Sequence, residues 1–194
     1  NFINPIREKS APETELALQK LIHPFKMRRT KELVLPDLPE KVEDLRHCGL
    51  SDEQVKLYRE VLQMKAAPIV QKLQSDEQPV PYLHVFAVLT MLKQICNHPA
   101  LISKRDYKTS TSGKFELAKD ILTEALDSGH KIVIYSQYVE MIGIFQQYLN
   151  EQGIKHVVLT GQSRNRGELV KRFQNDDETK VFCGSLLAGG IGID

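Results

Sequence analysis

The second half of the chain alternates amphipathic helices with short apolar runs, and few folds accept that order. Phe115, Leu117, Ala118, Ile121, Leu122, Ala125 and Leu126 recur at helical spacing and predict a helix that Gly129 ends. Residues 131–135 are an unbroken apolar run behind Lys131, as expected of a strand covered on both faces. A helix over 139–152 ended by Gly153 follows, then a strand over 156–159. A helix over 167–174, with Leu169, Val170 and Phe173 inward, leads to a third strand over 180–183. The order αβαβαβ predicts a parallel sheet with right-handed crossovers.

The first half reads differently. Pro12 and Glu13 open a helix to about residue 22, and Pro24 stops it. Residues 26–31 hold four cations (Lys26, Arg28, Arg29, Lys31), and Pro36 and Pro39 mark an extended connector. Residues 41–48 read as a strand. Ser51-Asp52-Glu53-Gln54 is a capping box opening a helix through about residue 65, with Tyr58 and Met64 expected in the core. A helix over 82–96 places Val85, Val88, Leu89, Leu92 and Ile95 inward and ends at Asn97-His98-Pro99. His98 has no second Cys/His pair at ligand spacing, so packing at the helix end is expected, with no metal site. Residues 104–112 form a polar linker, so a helical region precedes about residue 110 and an α/β domain follows it.

Charge narrows the function. The 194 residues carry 26 Lys+Arg against 25 Asp+Glu, a net charge of +1, so any nucleic-acid contact must come from local patches. The apolar runs are too short to span a bilayer, no signal peptide is present, and no membrane partner is expected. Cys48, Cys96 and Cys183 fit neither a disulfide framework nor a zinc site, which points to a reducing, intracellular setting: cytoplasm in a bacterium, nucleus in a eukaryote. A first residue other than Met, and an end straight after Gly189-Gly190-Ile191-Gly192, are expected of a piece of a larger protein.

Open parallel sheets bind ligands at the carboxyl ends of their strands. Three loops lie there: Ser136-Gln137-Tyr138, Thr160-Gly161-Gln162-Ser163, and the stretch from Ser185 through Gly189, Gly190 and Gly192. One such loop alone is an ordinary turn; three on one edge can hold phosphate oxygens through hydroxyls and amides. Arg28, Arg29 and Lys31 could add charge, though a run of cations alone is usually a solvated face. The sequence has no Gly-x-x-x-x-Gly-Lys-Ser/Thr loop and no Asp-Glu pair after an apolar strand, which excludes a self-contained ATPase.

Several stretches together resemble one family, the SWI/SNF-type, helicase-like ATPases of superfamily two. Phe25-Lys26-Met27-Arg28-Arg29-Thr30-Lys31, continuing to Lys41, resembles the segment joining the family's two motor lobes. Leu50-Ser51 with Gln54 and Leu57-Tyr58, and Leu92-Lys93-Gln94-Ile95-Cys96-Asn97-His98-Pro99, resemble its helical protrusion and the helix leading to the second lobe. Ser112-Gly113-Lys114, the run from Lys131 to Tyr138, Leu159 to Ser163, Arg172-Phe173-Gln174 and Ser185 to Ile193 resemble the second lobe's motifs in order and spacing.

The resemblance implies a RecA-like (P-loop NTPase-like) α/β lobe cut short at its C-terminus. It implies an interlobe connector over 1–40, a helical protrusion over 41–110 and the lobe over 111–194. The parent enzyme would hydrolyse ATP with Mg²⁺ between two lobes and track along duplex DNA. This chain would hold no catalytic residue and be inactive alone, with the first lobe as its partner. Ser136, Gln137, Ser163, Ser185, Lys114, Arg28 and Arg29 would touch the DNA backbone; Gly189, Gly190, Gly192 and Asp194 would face the nucleotide. Leu187 stands where the family usually carries Lys or Arg. The alternatives are an RNA-helicase second lobe, which usually lacks the helical insertion, and a non-catalytic protein-docking module.

Overall fold

The computed structural model describes residues 12–27, 34, 37, 39–67, 70 and 82–189. The chain divides into two compact units, Asn1–Arg46 and His47–Asp194. In the first, helix α1 (Pro12–Ile22) starts on a proline, carries Glu13 and Glu15 in its first turn and Lys20 in its last, and buries none of its residues. Those charges complement the helix dipole, the main local support such a helix has. The 3₁₀ turn His23–Phe25 follows it.

The expected strand over 41–48 does not form: residues 39–50 contain neither helix nor strand. A strand needs a partner's ladder of donors and acceptors, and among the described residues no strand pairs with this segment. Its side chains bond locally instead, Lys41 to Glu43 and Arg46 to Asp44.

In the second unit, α2 (Asp52–Val61) opens on the capping box as read, with Ser51 and Gln54 bonded reciprocally, and runs into one π-helical stretch, Leu62–Ala66. α3 (Tyr82–Asn97) buries Val88, Leu92 and Ile95, while Leu89 is 47% exposed and Met64, expected in the core, is 75% exposed. α4 (Ala100–Ser103) ends on Lys104 in the left-handed region, φ 57°. α5 (Gly113–Asp127) is capped by Ser112, whose Oγ accepts from the Phe115 amide. β1 (Ile132–Ser136), α6 (Val139–Glu151), β2 (His156–Leu159), α7 (Arg166–Asn175), β3 (Val181–Ser185) and α8 (Leu186–Gly189) complete the described chain. Gly129 and Gly153 end α5 and α6 with φ of 78° and 66°, values other residues adopt at a cost.

The sheet is parallel, in the order β1-β3-β2. Every residue of β3 is buried. Val181 and Cys183 join the core under α5 and α6, whereas Phe182 joins Val157, Leu159 and the α7 side chains Leu169, Val170 and Phe173 on the other face. The double cover expected of β1 is only half present: Val133 and Tyr135 are 48% and 44% exposed. α7 packs over β2 and β3, so the α7-side face of edge strand β1 stays open. Ile121, one of the apolar residues that mark α5 in the sequence, is also exposed. Lys131 is spent on structure: its Nζ donates to the carbonyls of Phe173, Gln174 and Asp176 at 2.6–3.2 Å, closing the C-terminus of α7.

The helical pair is bound to the sheet domain by a buried carboxamide. Gln54, fully buried, accepts from the Ser51 amide at 3.0 Å and the Gly113 amide at 3.1 Å through Oε1. Its Nε2 donates to the Ile95 carbonyl at 2.6 Å. That carbonyl would bond residue 99 in a continued helix, but Pro99 has no N–H. Ser112 Oγ donates to the carbonyl of Asn97 at 2.6 Å, and the Glu53 carboxylate accepts from Ser110 Oγ and the Thr111 amide. A Cβ on Gly113 would lie 1.9 Å from the Gly49 carbonyl oxygen, so only glycine fits where α5 begins. Below this junction the Phe115 ring stands edge-on to Phe145 at 5.2 Å and to His98 at 5.5 Å.

Two stability predictions follow from this junction. Gln54→Met keeps the volume but leaves two amides and a carbonyl unpartnered; a loss of about 2–4 kcal/mol in urea unfolding is expected. A loss below half a kcal/mol contradicts the role given to the amide. The second concerns His98, which is buried and accepts from the Ala100 amide through Nδ1, so it is neutral with its proton on Nε2. Desolvation lowers its pKa below 6.5, outweighing the upward pull of Glu53 and Glu116; Lys119 lowers it further. The unfolded chain therefore takes up this proton first. Stability is full above pH 6.5 and falls as the pH drops below it towards the depressed folded value. His98→Asn is expected to flatten that part of the stability–pH curve; an unaltered slope counts against the assignment.

Candidate nucleic-acid interface

The carboxyl ends of the three strands share one edge of the sheet. Ser136 and Ser185 are paired in register at the ends of β1 and β3, and Leu159, the last residue of β2, pairs with Gly184 one step earlier. The three loops expected to bind a ligand therefore follow one rim.

Their hydroxyls are not equivalent. Ser136 Oγ accepts from the Tyr138 amide at 3.1 Å and has no acceptor of its own among the described residues, so its O–H is available to a ligand. Ser185 Oγ likewise accepts from the Ala188 amide at 3.3 Å, but Ser185 is only 4% exposed. Ser163 is occupied within its own turn, accepting from the Thr160 amide at 2.9 Å and donating to the Val158 carbonyl at 3.4 Å. Gln137 is exposed beside Ser136. Arg28, Arg29, Gly190, Gly192 and Asp194 lie outside the described residues.

Gly189 has a visible reason to be glycine. A Cβ there would sit 2.3 Å from Tyr135 Cε1, and one on Gly184 would sit 2.6 Å from the same atom and 3.1 Å from Phe182 Cε1. The Tyr135 ring thus lies on the backbone of β3 and α8. Beyond it Leu187 is 89% exposed.

In front of this ring lies an open cleft of about 470 Å³. Tyr135, Ser136 and Gln137 form one wall and Lys114 joins them from the first turn of α5. The opposite wall comes from the helical pair: Tyr58, Leu89, Lys93, Cys96 and Asn97. Of the expected DNA-contacting residues, the fold gathers Ser136, Gln137 and Lys114 here and leaves Ser163 and Ser185 out of the lining. Sequence reasoning missed Lys93 and Asn97 as site residues. A signal existed: Leu89, Lys93 and Cys96 are spaced to share a helix face beside the buried stripe. The Asn97 side chain donates to the Lys93 carbonyl at 3.0 Å and accepts from Lys114 Nζ at 3.3 Å.

The Cys183 thiol does not line this cleft. Cys183 is fully buried and its pKa is pushed up to about 12 by desolvation. Among the described residues no group of three His, Cys, Asp or Glu side chains could hold a metal ion, and no helix is long and apolar enough to cross a membrane.

Comparison with known proteins agrees with this layout. The SNF2-related domain matches residues 1–101, and the helicase conserved C-terminal domain matches 113–194. The chain belongs to the SNF2 family of helicase-like ATPases. It is 30% identical over 196 residues to an uncharacterized ATP-dependent helicase of Mycoplasma genitalium, covering 100% of this chain and 18% of that protein. The Sulfolobus solfataricus SWI2/SNF2 ATPase core domain superposes with a TM-score of 0.70 at 31% identity, over 96% of this chain and 39% of that one. The same Sulfolobus core in complex with dsDNA gives 0.67 at 30% identity, over 93% and 39%. The α/β lobe of this SNF2 chain is thus the one found in SWI2/SNF2 ATPase cores.

The contact between Tyr135 and the two glycines can be tested within the SNF2 lobe. Gly184→Ala is expected to destabilise by about 1–3 kcal/mol through overpacking. Most of that cost should vanish in a Tyr135→Leu background. A double-mutant cycle with no coupling would show that the ring does not occupy the space.

Proposed function

We propose that this chain is the second motor lobe of a SNF2-type ATPase, with the interlobe connector over 1–40, the helical protrusion over 41–110 and the lobe over 111–194. Its task is to hold the sugar-phosphate backbone of duplex DNA. The observation that carries this reading is the rim: Ser136 and Ser185 in register, Gln137 beside them, and Lys114 facing the same cleft. The Sulfolobus core bound to dsDNA supports duplex DNA as the partner. Hydroxyls, amides and ammonium groups aimed at phosphates carry no base information, so the grip is indifferent to sequence. Ser163 and Ser185 shape the rim, and Arg28 and Arg29 add charge to the connector.

The Tyr135 ring lies against the Gly189 backbone, where the glycine-rich stretch begins. In this reading ATP and Mg²⁺ are bound chiefly by the other lobe of the parent. Gly189, Gly190, Gly192 and Asp194 are this chain's contribution to the interface. The parent acts inside the cell. The helical pair favours this reading over an RNA-helicase lobe.

The purified 194-residue chain is expected to bind mixed-sequence duplex DNA weakly, with affinity falling steeply as salt rises, and to show no ATP turnover. Fluorescence anisotropy at several salt concentrations, with scrambled duplexes and duplex RNA as competitors, checks the first expectation. Binding that ignores salt, or RNA that outcompetes DNA, would sink the reading. Phosphate release by the purified chain would refute the second.

A further inference from the structure

We infer that the helical protrusion is itself part of the backbone grip, with Lys93 as a phosphate contact facing Ser136 and Gln137, and Asn97 as the positioning residue for Lys114. The inference rests on the DNA-backbone reading above and extends it to residues on another element. The first argument is placement. Lys93 and Asn97 lie in the last turns of α3, yet they line the same cleft as Lys114 and the Ser136-Gln137 turn. The Gln54 junction causes this: one side chain bonds the end of α3, through the Ile95 carbonyl, and the start of α5, through the Gly113 amide.

The second argument is charge. The cleft is lined by two lysines and no carboxylate. Two other described hollows are compensated. Lys104 and Arg105 share theirs with Asp106, Glu140 and Glu151; Lys108 and Lys119 share theirs with Glu116 and Glu151. Uncompensated charge in a cleft walled by Leu89, Tyr58 and Tyr135 attracts an anion, and a concave low-dielectric wall focuses that field.

The third argument is chemistry. Lys93 is exposed and makes no ion pair among the described residues, so three donors are free. Lys114 instead rests on a neutral amide oxygen, which holds the ammonium in place without cancelling its charge. The ligand class is therefore a phosphodiester of the nucleic-acid backbone. The seat is composite: Lys93 and Asn97 lie in the span matched by the SNF2-related domain, and Lys114, Ser136 and Gln137 in that of the helicase C-terminal domain.

The test uses the intact protein that carries this chain and mixed-sequence duplex DNA, with affinity measured across a salt series. Lys93→Met is expected to reduce the log–log salt slope by about 0.9, equivalent to roughly threefold in affinity between about 50 and 200 mM salt, while Lys93→Arg keeps both. An unchanged slope in Lys93→Met, with Lys114→Met and Gln137→Ala each weakening binding, overturns this inference and leaves the rim reading intact. If none of the three variants alters binding, both fall. A weaker Lys93→Met with the wild-type slope and no rescue by arginine signifies a packing effect and also overturns it.

Discussion

One buried carboxamide determines whether the helical pair and the sheet domain behave as a single object. Gln54 meets an unusual demand, because the proline at 99 leaves the Ile95 carbonyl without its helical partner while the first turn of α5 presents an unbonded amide. Only a group with both a donor and an acceptor answers both. A carboxylate would lack the donor, and a thioether would lack both strong functions. The capping box takes the remaining bond of the same side chain, so α2, α3 and α5 are fixed at one point. Ser112 and Glu53 repeat the principle on either side, each tying one helix end to the next segment. The two walls of the cleft are therefore tied together at one junction, as the proposed phosphate seat requires.

The sheet adds an asymmetry that makes the cleft accessible. Because the strand order is β1-β3-β2, the α7 crossover covers β2 and β3 on one face and stops short of β1. Tyr135 and Val133 are thus left open on that face of β1. Tyr135 settles against the two glycines of the neighbouring strand and turn, where any Cβ would collide with its ring. Its outer surface then forms part of one wall of the cleft. A single residue contacts both the proposed DNA side and the start of the glycine-rich stretch, so a displacement on one side has a short path of packed atoms to the other.

Much of this was legible in the sequence, for local reasons. Helix caps, glycine stops and the 3.6-residue period act within a few residues, and α2, α5, α6 and α7 appear where those signals place them. The three strands were recognisable from short apolar runs between helices. The segment over 41–48 failed because strand formation depends on a remote partner, which no local pattern reveals. Leu89 and Met64 failed because an apolar residue at helical spacing can border a cleft or face solvent as readily as enter a core. The second role of Gln54 was hidden for a different reason. A capping box explains the residue completely at short range, and nothing nearby shows that its amide N–H and its other lone pair reach partners 41 and 59 residues further along the chain.

The same distinction bears on the site. The rim serines could be anticipated from their loops, whereas Lys93 joins them only through folding. A seat divided in this way suits a backbone grip that must release and reform. Hydroxyls and amides at strand ends are short, and in the proposed grip they set where a phosphate sits. Lysine ammonium groups on four-carbon stems tolerate changes in position and supply attraction over a Debye length of roughly 8–10 Å. In the proposed grip, Ser136 and Lys114 act from the rim wall and Lys93 from the helical wall, and neither wall need recognise a base. If α3 were mobile against α5, Lys93 would no longer be held opposite the rim, and the proposed seat would lose its second wall. The buried amide at Gln54 is what separates those two outcomes, so the grip depends on a residue that touches no ligand.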